Sequence, residues 1–438
     1  MTLTAALLAA CSGGGGGAGP ATGTAACSAN GQKQFVLDNM RTWYLWNDLL
    51  PASVNIGSFA SAEDLLAFLT TFSPDDGSGN PVDKFSFITS AAADSAFFGE
   101  GQFEGFGFSS RFVAADDLRL TRVFTSSPAY AANLRRGQRI LALNGRSIAE
   151  IQAAEGVNAV LDTSPVDFTM RRPDNSEFTV TIAQDTVTID PVPQFRIIDV
   201  PGTPGVGYLE LATFISTADP EFASVFSQFS AAGVTDVIVD LRYNGGGLVS
   251  TAELLGDYLG GAVAQGLVFS ETRFNDDRAA ANNSIELFEL RQDSLNLSRL
   301  FIVATRSTAS ASELVTNSLD PHVEVVIVGD DTFGKPVGQI GLEFCDKILR
   351  PTAFQTVNSL GFGDYFDGLP VDCVAADDLN VPVGADNDPN VEAAIDYVNT
   401  GSCPVTALPG LASKPADVVR SPKPDRRGPP EREFADAY

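Results

Sequence analysis

Two short segments in the second half of the chain carry side chains that could act together as a nucleophile and a base. Ser310 opens the segment Ser-Ala-Ser-Glu, and Lys335 closes the segment Thr-Phe-Gly-Lys. A serine hydroxyl needs a base to become a nucleophile. A Ser-His-Asp triad would depend on His322, the single histidine of the chain, whereas a Ser-Lys pair does not. The sequence therefore predicts a serine hydrolase with a lysine base, with no metal and no cofactor.

Each of these side chains is predicted to follow a buried strand. Residues 300–304 form an apolar run before Ser310, and residues 323–328 form another before the loop that contains Lys335. Loops at the carboxyl ends of parallel strands meet at one edge of a sheet, so Lys335 can face Ser310. Both residues also have ordinary interpretations. Ser310 and Glu313 fit a helix capping box, and Lys335 fits a solvated loop lysine.

A lysine acts as a base only in its neutral form. Phe333 beside the lysine and the apolar strand before the loop predict a wall that excludes water, which favours the neutral amine. Asp330 and Asp331 would oppose this effect if their carboxylates approached the ammonium group. Gln339, four residues after Lys335, could orient the amine without adding a charge.

A third segment, residues 240–247, ends a predicted strand with three consecutive glycines. Glycines let the backbone approach a substrate carbonyl. The N–H group of Gly246 or Gly247, together with that of Ala311, could therefore stabilise an oxyanion. A phosphate-binding loop is the competing interpretation, but the Walker lysine is absent and no Gly-x-Gly-x-x-Gly spacing follows the strand.

The elements around these segments change in character along the chain. From residue 34 to about residue 98 the apolar spacing is helical, and a second helix is predicted to open at residues 61–64. From about residue 187 strands and helices alternate, as in an α/β core. The region between them predicts short strands at residues 106–112, 118–124, 139–143, 166–171 and 178–182.

This middle region resembles a PDZ domain over about residues 102–184. The match rests on a carboxylate-binding loop formed by Gly105, Phe106, Gly107 and Phe108, followed by Ser-Pro-Ala at 127–129 and Leu-Arg-Arg-Gly-Gln-Arg-Ile at 134–140. The resemblance implies that backbone N–H groups bind a terminal carboxylate while a strand edge pairs with an extended peptide. A glycine-rich hairpin in an unrelated small β domain is the alternative.

Taken together, the chain resembles the S41 serine peptidases, the C-terminal processing or tail-specific proteases, over about residues 35–398. The resemblance implies that Ser310 is the nucleophile, that Lys335 is the general base and that Gln339 positions the lysine. It also implies oxyanion donors at Gly246 or Gly247 and at Ala311. The chain differs from the usual family pattern at Pro336, where glycine is usual, and at Asp330, where glutamate is common. His322 is interpreted as structural.

These residues predict an endopeptidase that captures unfolded or C-terminally exposed proteins through its PDZ-like module and cleaves them near their C-termini. Two alternatives remain open. The chain could be a catalytically silent protein that binds peptides or small apolar ligands on the same fold, or a PDZ scaffold whose core only assembles oligomers. A homo-oligomer is compatible with each of these functions.

The predicted fold class is multidomain α/β and β, with a small N-terminal helical domain, a PDZ-like β module and an α/β peptidase core of the ClpP/crotonase-like type. The predicted ranges are a lipoprotein signal at 1–11, a Gly-rich tether at 12–33, the helical domain at 34–100, the PDZ domain at 101–186, the peptidase core at 187–405 and a disordered Pro-rich tail at 406–438.

Charge and the N-terminal residues indicate where the protein works. A net charge of −27 argues against nucleic acid or anionic lipid surfaces as partners, because both would be repelled. The run Leu-Ala-Ala before Cys11 fits a lipoprotein processing site, although no basic residue precedes it. The sequence therefore predicts an outer-membrane lipoprotein of the bacterial envelope that faces the periplasm, with the lipid as its only membrane anchor.

If Cys11 is lipidated, an even number of cysteines remains, which in an exported protein permits two disulfides. Four cysteines allow three pairings. The predicted pairing joins Cys345 to Cys373 and Cys27 to Cys403, and the second bond would tie the two ends of the folded region together.

Overall fold

The computed structural model describes residues 26–404. The predictions for Cys11, for most of the tether and for the Pro-rich tail lie outside these residues. Between residues 26 and 404, no helix combines the length and apolarity needed to cross a membrane.

The N-terminal region begins with two helices that pack on each other. In the second helix, the hydroxyl of Ser61 accepts from the N–H of Asp64 at 3.0 Å, and the carboxylate of Asp64 accepts from the N–H of Ser61 at 3.2 Å. These two contacts form a capping box, and the helix start predicted at residues 61–64 is confirmed. The elements of this region are α1 Ala29–Trp43, α2 Ala62–Thr70, β1 Phe87–Ser90 and α3 Ala91–Ser95, followed by a π-helical turn at Ala96–Glu100.

The β module follows, with an apolar core of its own that includes the rings of Phe106, Phe108 and Phe168. Its main sheet has the order β3-β4-β5-β7-β8, with β3 and β8 at the ends. Its elements are β2 Gln102–Gly105, β3 Phe108–Ala114, β4 Asp117–Val123, α4 Pro128–Ala131, β5 Arg139–Leu143, β6 Arg146–Ser147, α5 Ile148–Ala154, α6 Val157–Leu161, β7 Val166–Arg171, β8 Glu177–Ile182 and β9 Asp185–Thr188.

The rest of the described chain forms a mixed α/β region. Its elements are β10 Gln194–Ile198, β11 Val206–Glu210, α7 Asp219–Ala232, β12 Asp236–Asp240, α8 Val249–Ala264, β13 Val268–Phe274, α9 Asp276–Asn282, β14 Ser284–Leu287, β15 Arg299–Ala304, α10 Ala311–Leu319, β16 Glu324–Gly329, β17 Val337–Gln339, β18 Leu342–Phe344, β19 Lys347–Arg350, β20 Thr352–Val357, β21 Cys373–Val374 and α11 Pro389–Thr400.

The central sheet has the strand order β10-β11-β12-β15-β16-β21, and every pair from β11 to β21 is parallel. The inner strands β11, β12 and β15 are buried on both faces, as their apolar runs predict. Val237 and Val239 belong to the core that includes residues of α7, α8 and α10, while Ile238 belongs to the opposite core with residues of α11. Helices therefore cover both faces of the sheet.

The strand register brings three loops to one edge of this sheet. Asp240 at the end of β12 is level with Val303 of β15, and Ala304 is level with Gly329 at the end of β16. The glycine segment, the Ser310 loop and the Lys335 loop leave these three strands in turn. The predicted arrangement of parallel strands and of loops at their carboxyl ends is thus confirmed.

The N-terminal region, predicted as a small helical domain, contains a strand beside its helices. β1 pairs with β19, and β19 pairs with β18, so the region shares a three-stranded sheet with a hairpin from the far end of the chain. The buried face of α1 packs on the same hairpin, and Phe35 stacks on Phe344 with ring centroids 4.7 Å apart.

The predicted disulfide pairing is also wrong. Cys27 bonds to Cys345, with Cα atoms 5.7 Å apart, and Cys373 bonds to Cys403, with Cα atoms 5.2 Å apart. The hairpin turn that carries Cys345 lies against α1, which starts just after Cys27. Cys373 lies in β21 of the central sheet, where α11 packs and leads into Cys403. Each bond therefore joins segments that already share a core.

Candidate active site

Ser310 lies between the loop after β15 and the first residue of α10. Its backbone has φ +55° and ψ −116°, a left-handed φ that residues other than glycine rarely adopt. The side chain is partly exposed, whereas Ala309 and Ala311 on either side are buried. This strained backbone presents the hydroxyl at the N-terminus of a helix, where an anion is stabilised.

Glu313 connects the serine loop to the lysine loop. One oxygen of its fully buried carboxylate accepts from the backbone N–H of Ser310 at 2.9 Å and from that of Lys335 at 2.8 Å. The other accepts from the Thr332 hydroxyl at 2.5 Å and from the Gly334 N–H at 2.6 Å. The backbone nitrogens of Ser310 and Lys335 therefore both lie within hydrogen-bond distance of a single atom.

Sequence reasoning assigned Glu313 only the role of a helix cap. The contact to the Ser310 N–H is the one that a capping box supplies, but the other three contacts reach the lysine loop. Burial raises the pKa of Glu313, although all four hydrogen bonds act to lower it. The carboxylate thus holds two loops together as well as capping α10.

Lys335 is buried, with only 7% of its surface exposed, and its Nζ donates to Oε1 of Gln339 at 3.0 Å. Nζ also lies 5.6 Å from the ring centroid of Phe85, a residue of the N-terminal region. The predicted contact with Gln339 is present. The contribution of Phe85 was not predicted, because nothing in its local sequence indicates contact with a loop so far along the chain.

An apolar layer surrounds the lysine loop. Phe333 packs on Phe85, with ring centroids 6.3 Å apart, in a cluster that also includes Ala309 beside the serine. Trp46 and Phe366 pack on this cluster and line a cavity of about 510 Å³. The predicted apolar wall next to Lys335 is present, and the N-terminal region contributes to it.

Two of the residues that could disturb the lysine loop, Asp331 and Pro336, are held by other contacts. The carboxylate of Asp331 accepts from the Val371 N–H at 3.0 Å and lies 3.6 Å from the guanidinium of Arg306. The carbonyl of Pro336 accepts from the Thr356 N–H at 3.1 Å, which ties the start of β17 to β20. Pro336 thus fits the backbone path without breaking the sheet.

The glycine segment lies directly against the serine. A Cβ atom on Gly246 would come within 2.7 Å of Cβ of Ser310 and 2.9 Å of the Ala311 nitrogen. The Gly246 N–H is already used, since it donates to Oδ1 of Asn244 at 2.9 Å. Gly246 therefore lets the glycine segment lie close to Ser310, but it is not the oxyanion donor. The N–H of Gly247 is left as the candidate oxyanion donor beside that of Ala311.

A buried ionic network lies behind this segment. The guanidinium of Arg242 is 1% exposed, donates to Asp240 at 2.6 Å and also binds Asp388. The next residue, Tyr243, donates its hydroxyl to Asp377, and Arg136 of the β module donates to Asp377 at 2.7 Å. The network therefore links the strand before the glycines to α11 and to the β module.

The predicted peptide-binding loop lies at the start of the edge strand β3. The side chains of Phe106 and Phe108 are fully buried in the module's own core, so only their backbone is placed for a ligand. Gly107 has φ +82°, and a Cβ atom there would lie 2.0 Å from that of Ser127.

His322 was considered in the sequence as a possible triad histidine. Nε2 of its ring lies 3.1 Å from the Val268 carbonyl, and the ring packs on Phe288.

The segments that form this candidate site match the model of a known protein family. The model of peptidase family S41 matches residues 205–361, which include the glycine segment and the serine and lysine loops. This chain belongs to peptidase family S41. The model of the S41 N-terminal domain matches residues 31–87, the region that supplies Phe85.

Two relatives are named C-terminal processing enzymes. A carboxyl-terminal-processing protease of Picosynechococcus sp. is 26% identical over 297 residues, which cover 65% of this chain and 67% of the relative. A chloroplastic C-terminal processing peptidase of Tetradesmus obliquus is 29% identical over 239 residues, which cover 50% of this chain and 48% of the relative. A solved structure described as an S41 protease from Bacteroides fragilis has a TM-score of 0.65 and 25% identity, and the match covers 84% of this chain and 97% of that one.

Proposed function

We propose that this protein is a serine endopeptidase that cleaves proteins or peptides near their C-termini, with Ser310 as nucleophile and Lys335 as general base. The observation that carries the proposal is the single carboxylate oxygen of Glu313 that binds the backbone N–H groups of both residues. Two loops that are held this closely can place a hydroxyl and an amine for proton transfer. The names of the relatives support the substrate class.

In the proposed acylation step, the neutral amine of Lys335 takes the hydroxyl proton of Ser310 while Oγ forms a bond to the substrate carbonyl carbon. The negative charge moves to the carbonyl oxygen, where the N–H groups of Gly247 and Ala311 are the proposed donors. The carbon–nitrogen bond then breaks, and the lysine ammonium gives its proton to the leaving amine. Ser310 is left as an ester, and Lys335 is neutral again.

Deacylation repeats these transfers with water. Lys335 removes a proton from the water as the water oxygen attacks the ester carbon. Lys335 then gives this proton to Oγ of Ser310 when the ester bond breaks. Gln339 keeps the amine in place through both steps by accepting one of its N–H bonds. The products are a peptide acid, a peptide amine and the free enzyme.

We also propose that the β module captures the substrate. Strand β3 lies at the edge of the sheet and follows the Gly105 to Phe108 loop, so an extended peptide could pair along β3 with its terminal carboxylate at the loop.

Envelope location and lipidation of Cys11 are proposed from the sequence alone. Mass spectrometry of the N-terminus in cells tests them, and an unmodified N-terminus would contradict the lipid anchor.

The test is hydrolysis of unfolded, fluorescein-labelled casein and of peptides with apolar C-termini. We expect chelator-resistant cleavage by the wild type and background rates for Ser310→Ala and for Lys335→Ala. Two variants, the exposed Ser402→Ala and the half-buried Lys347→Ala, serve as matched controls and should cleave at the wild-type rate. Thermal unfolding of each variant checks that it is folded.

The outcome also separates the alternatives. Activity that survives Ser310→Ala would exclude this serine as the nucleophile. A folded wild type that cleaves none of these substrates but binds the peptides would favour the binding or scaffold function. Truncation of the β module is not needed for this distinction, because peptide binding is measured directly.

A further inference from the structure

The side-chain amide of Gln339 is held at both ends. Its Oε1 accepts from Nζ of Lys335 at 3.0 Å, and its Nε2 donates to the backbone carbonyl of Phe85. An amide has one accepting and one donating end, so the Phe85 carbonyl determines that the oxygen faces the lysine. If the amide turned over, its NH₂ group would face the amine, which needs an acceptor there.

The Phe85 carbonyl is in turn oriented by a buried carboxylate. That carbonyl and the N–H of Ser86 are the two ends of one planar peptide group. The Ser86 N–H donates to Oδ1 of Asp83 at 3.0 Å, and the Phe85 N–H donates to the same oxygen at 3.0 Å. Holding the N–H end of this peptide group on Asp83 points its carbonyl the opposite way, toward Gln339.

Asp83 is itself anchored to the α/β region. It is 4% exposed, and its Oδ1 also accepts from the Thr352 hydroxyl at 3.0 Å. Its Oδ2 accepts from the Ser86 hydroxyl at 2.6 Å, and that hydroxyl oxygen accepts from the Thr352 N–H at 2.9 Å. The turn at residues 83–86 is therefore fixed relative to β20, the strand that pairs with β17, where Gln339 lies.

We infer that Asp83 is a positioning residue for Lys335 and acts through the Phe85–Ser86 peptide group and the amide of Gln339. The inference rests on the proposed peptidase function. It assigns the N-terminal region a direct part in the site, because without Asp83 the peptide group and then the amide are free to rotate. In its neutral form the Lys335 amine must donate a hydrogen to Gln339. Its nitrogen lone pair is then free to point toward the hydroxyl proton of Ser310.

Kinetics on the full chain test this inference. We expect Asp83→Ala to lower kcat roughly 10- to 100-fold, the size of effect that misplacement by about 1 Å can cause, with little change in KM. Asp83→Asn should recover much of the lost rate, because its amide oxygen can still accept from both N–H groups. The control is Asp94→Ala, which removes a buried partner of Arg350 in the same region and should lower stability without lowering kcat.

A double-mutant cycle shows whether Asp83 acts through Gln339. We expect Asp83→Ala combined with Gln339→Ala to be no slower than Gln339→Ala alone. Multiplied losses in the double variant, or an unchanged kcat in folded Asp83→Ala, would overturn the inference. If Asp83→Ala does not fold, Ser86→Ala removes one contact of Asp83 and takes its place, with a smaller loss that must also vanish in the Gln339→Ala background.

A separate labelling experiment distinguishes failure of this inference from failure of the proposed function. Labelling of Ser310 by a fluorophosphonate probe reports on activation of the serine without a peptide substrate. If the wild type is labelled, Lys335→Ala is not, and Asp83→Ala is labelled at the wild-type rate, only the role of Asp83 is excluded. If Lys335→Ala is labelled like the wild type, the proposed lysine base fails.

Discussion

Two carboxylates, Glu313 in the candidate site and Asp377 in the ionic network behind it, are held in contrasting ways. Glu313 binds three backbone N–H groups and one hydroxyl, and burial raises its pKa. Burial also acts to raise the pKa of Asp377, but Arg136, Arg111 and Arg242 outweigh it and lower that pKa to about 2. Nearby cations therefore offset the loss of hydration, whereas four neutral donors do not.

The difference corresponds to different tasks. Several arginines around one carboxylate connect whole elements, since the network of Asp377 joins the β module to the strand before the glycines. Backbone donors are directional, so Glu313 sets the position of single peptide groups in the serine and lysine loops. We conclude that the network supports the scaffold, while Glu313 sets the geometry of the site.

The largest effect on stability is expected from Arg242→Met. The guanidinium is buried between Asp240 and Asp388, and its loss leaves these carboxylates without their main cation. Removing one partner of a buried ion pair costs about 3–5 kcal/mol in the free energy of unfolding. Denaturant unfolding measures it, and Arg273→Met is the control, since its exposed pair with Glu271 should contribute less than about 1 kcal/mol. Equal losses in the two variants would contradict the structural role of the network.

Glu313→Gln should affect activity more than stability. An NH₂ group would then face two of the four donors, and leaving buried donors unpaired costs about 1–3 kcal/mol. We expect kcat to fall roughly 100-fold, because the loops of Ser310 and Lys335 lose their common contact. Glu324→Gln, at an exposed carboxylate that accepts from Tyr397, is the matched control. A variant that is destabilised but fully active would show that Glu313 only caps α10.

Many strands of the β module and of the parallel sheet could be predicted, because their apolar patterns are local in the sequence. The strands at 139–143 and 166–171 agree with β5 and β7 at both ends, and the apolar runs before the Ser310 and Lys335 loops are strands of the parallel sheet. Ser310, Lys335 and Gln339 were predicted as site residues from short segments that resemble those of one family. The PDZ and ClpP-like assignments stay predictions.

The rest depended on contacts between distant segments. The carbonyl of Phe85 and the carboxylate of Asp83 have no local pattern that indicates a part in the candidate site, because their contacts come from packing against β17 and β20. The cysteine pairs follow from which elements share a core, which cysteine spacing does not reveal. Likewise, only the structure shows that Asn244 uses the N–H of Gly246.

The smallest effect that sharpens the comparison is the pH dependence of stability. The pKa of Asp377 is about 2 in the folded chain and 3.8 without its partners, so the network contributes about 2 kcal/mol above the higher value and loses it as pH falls. Between pH 5 and pH 3 this amounts to about 1 kcal/mol. We expect the wild type to lose about that much more stability over this interval than Asp377→Asn, measured by urea unfolding at both pH values. Because all other carboxylates are shared, parallel curves for the two proteins would mean that the arginines do not hold Asp377 ionised, and the contrast with Glu313 would then rest on hydrogen-bond geometry alone.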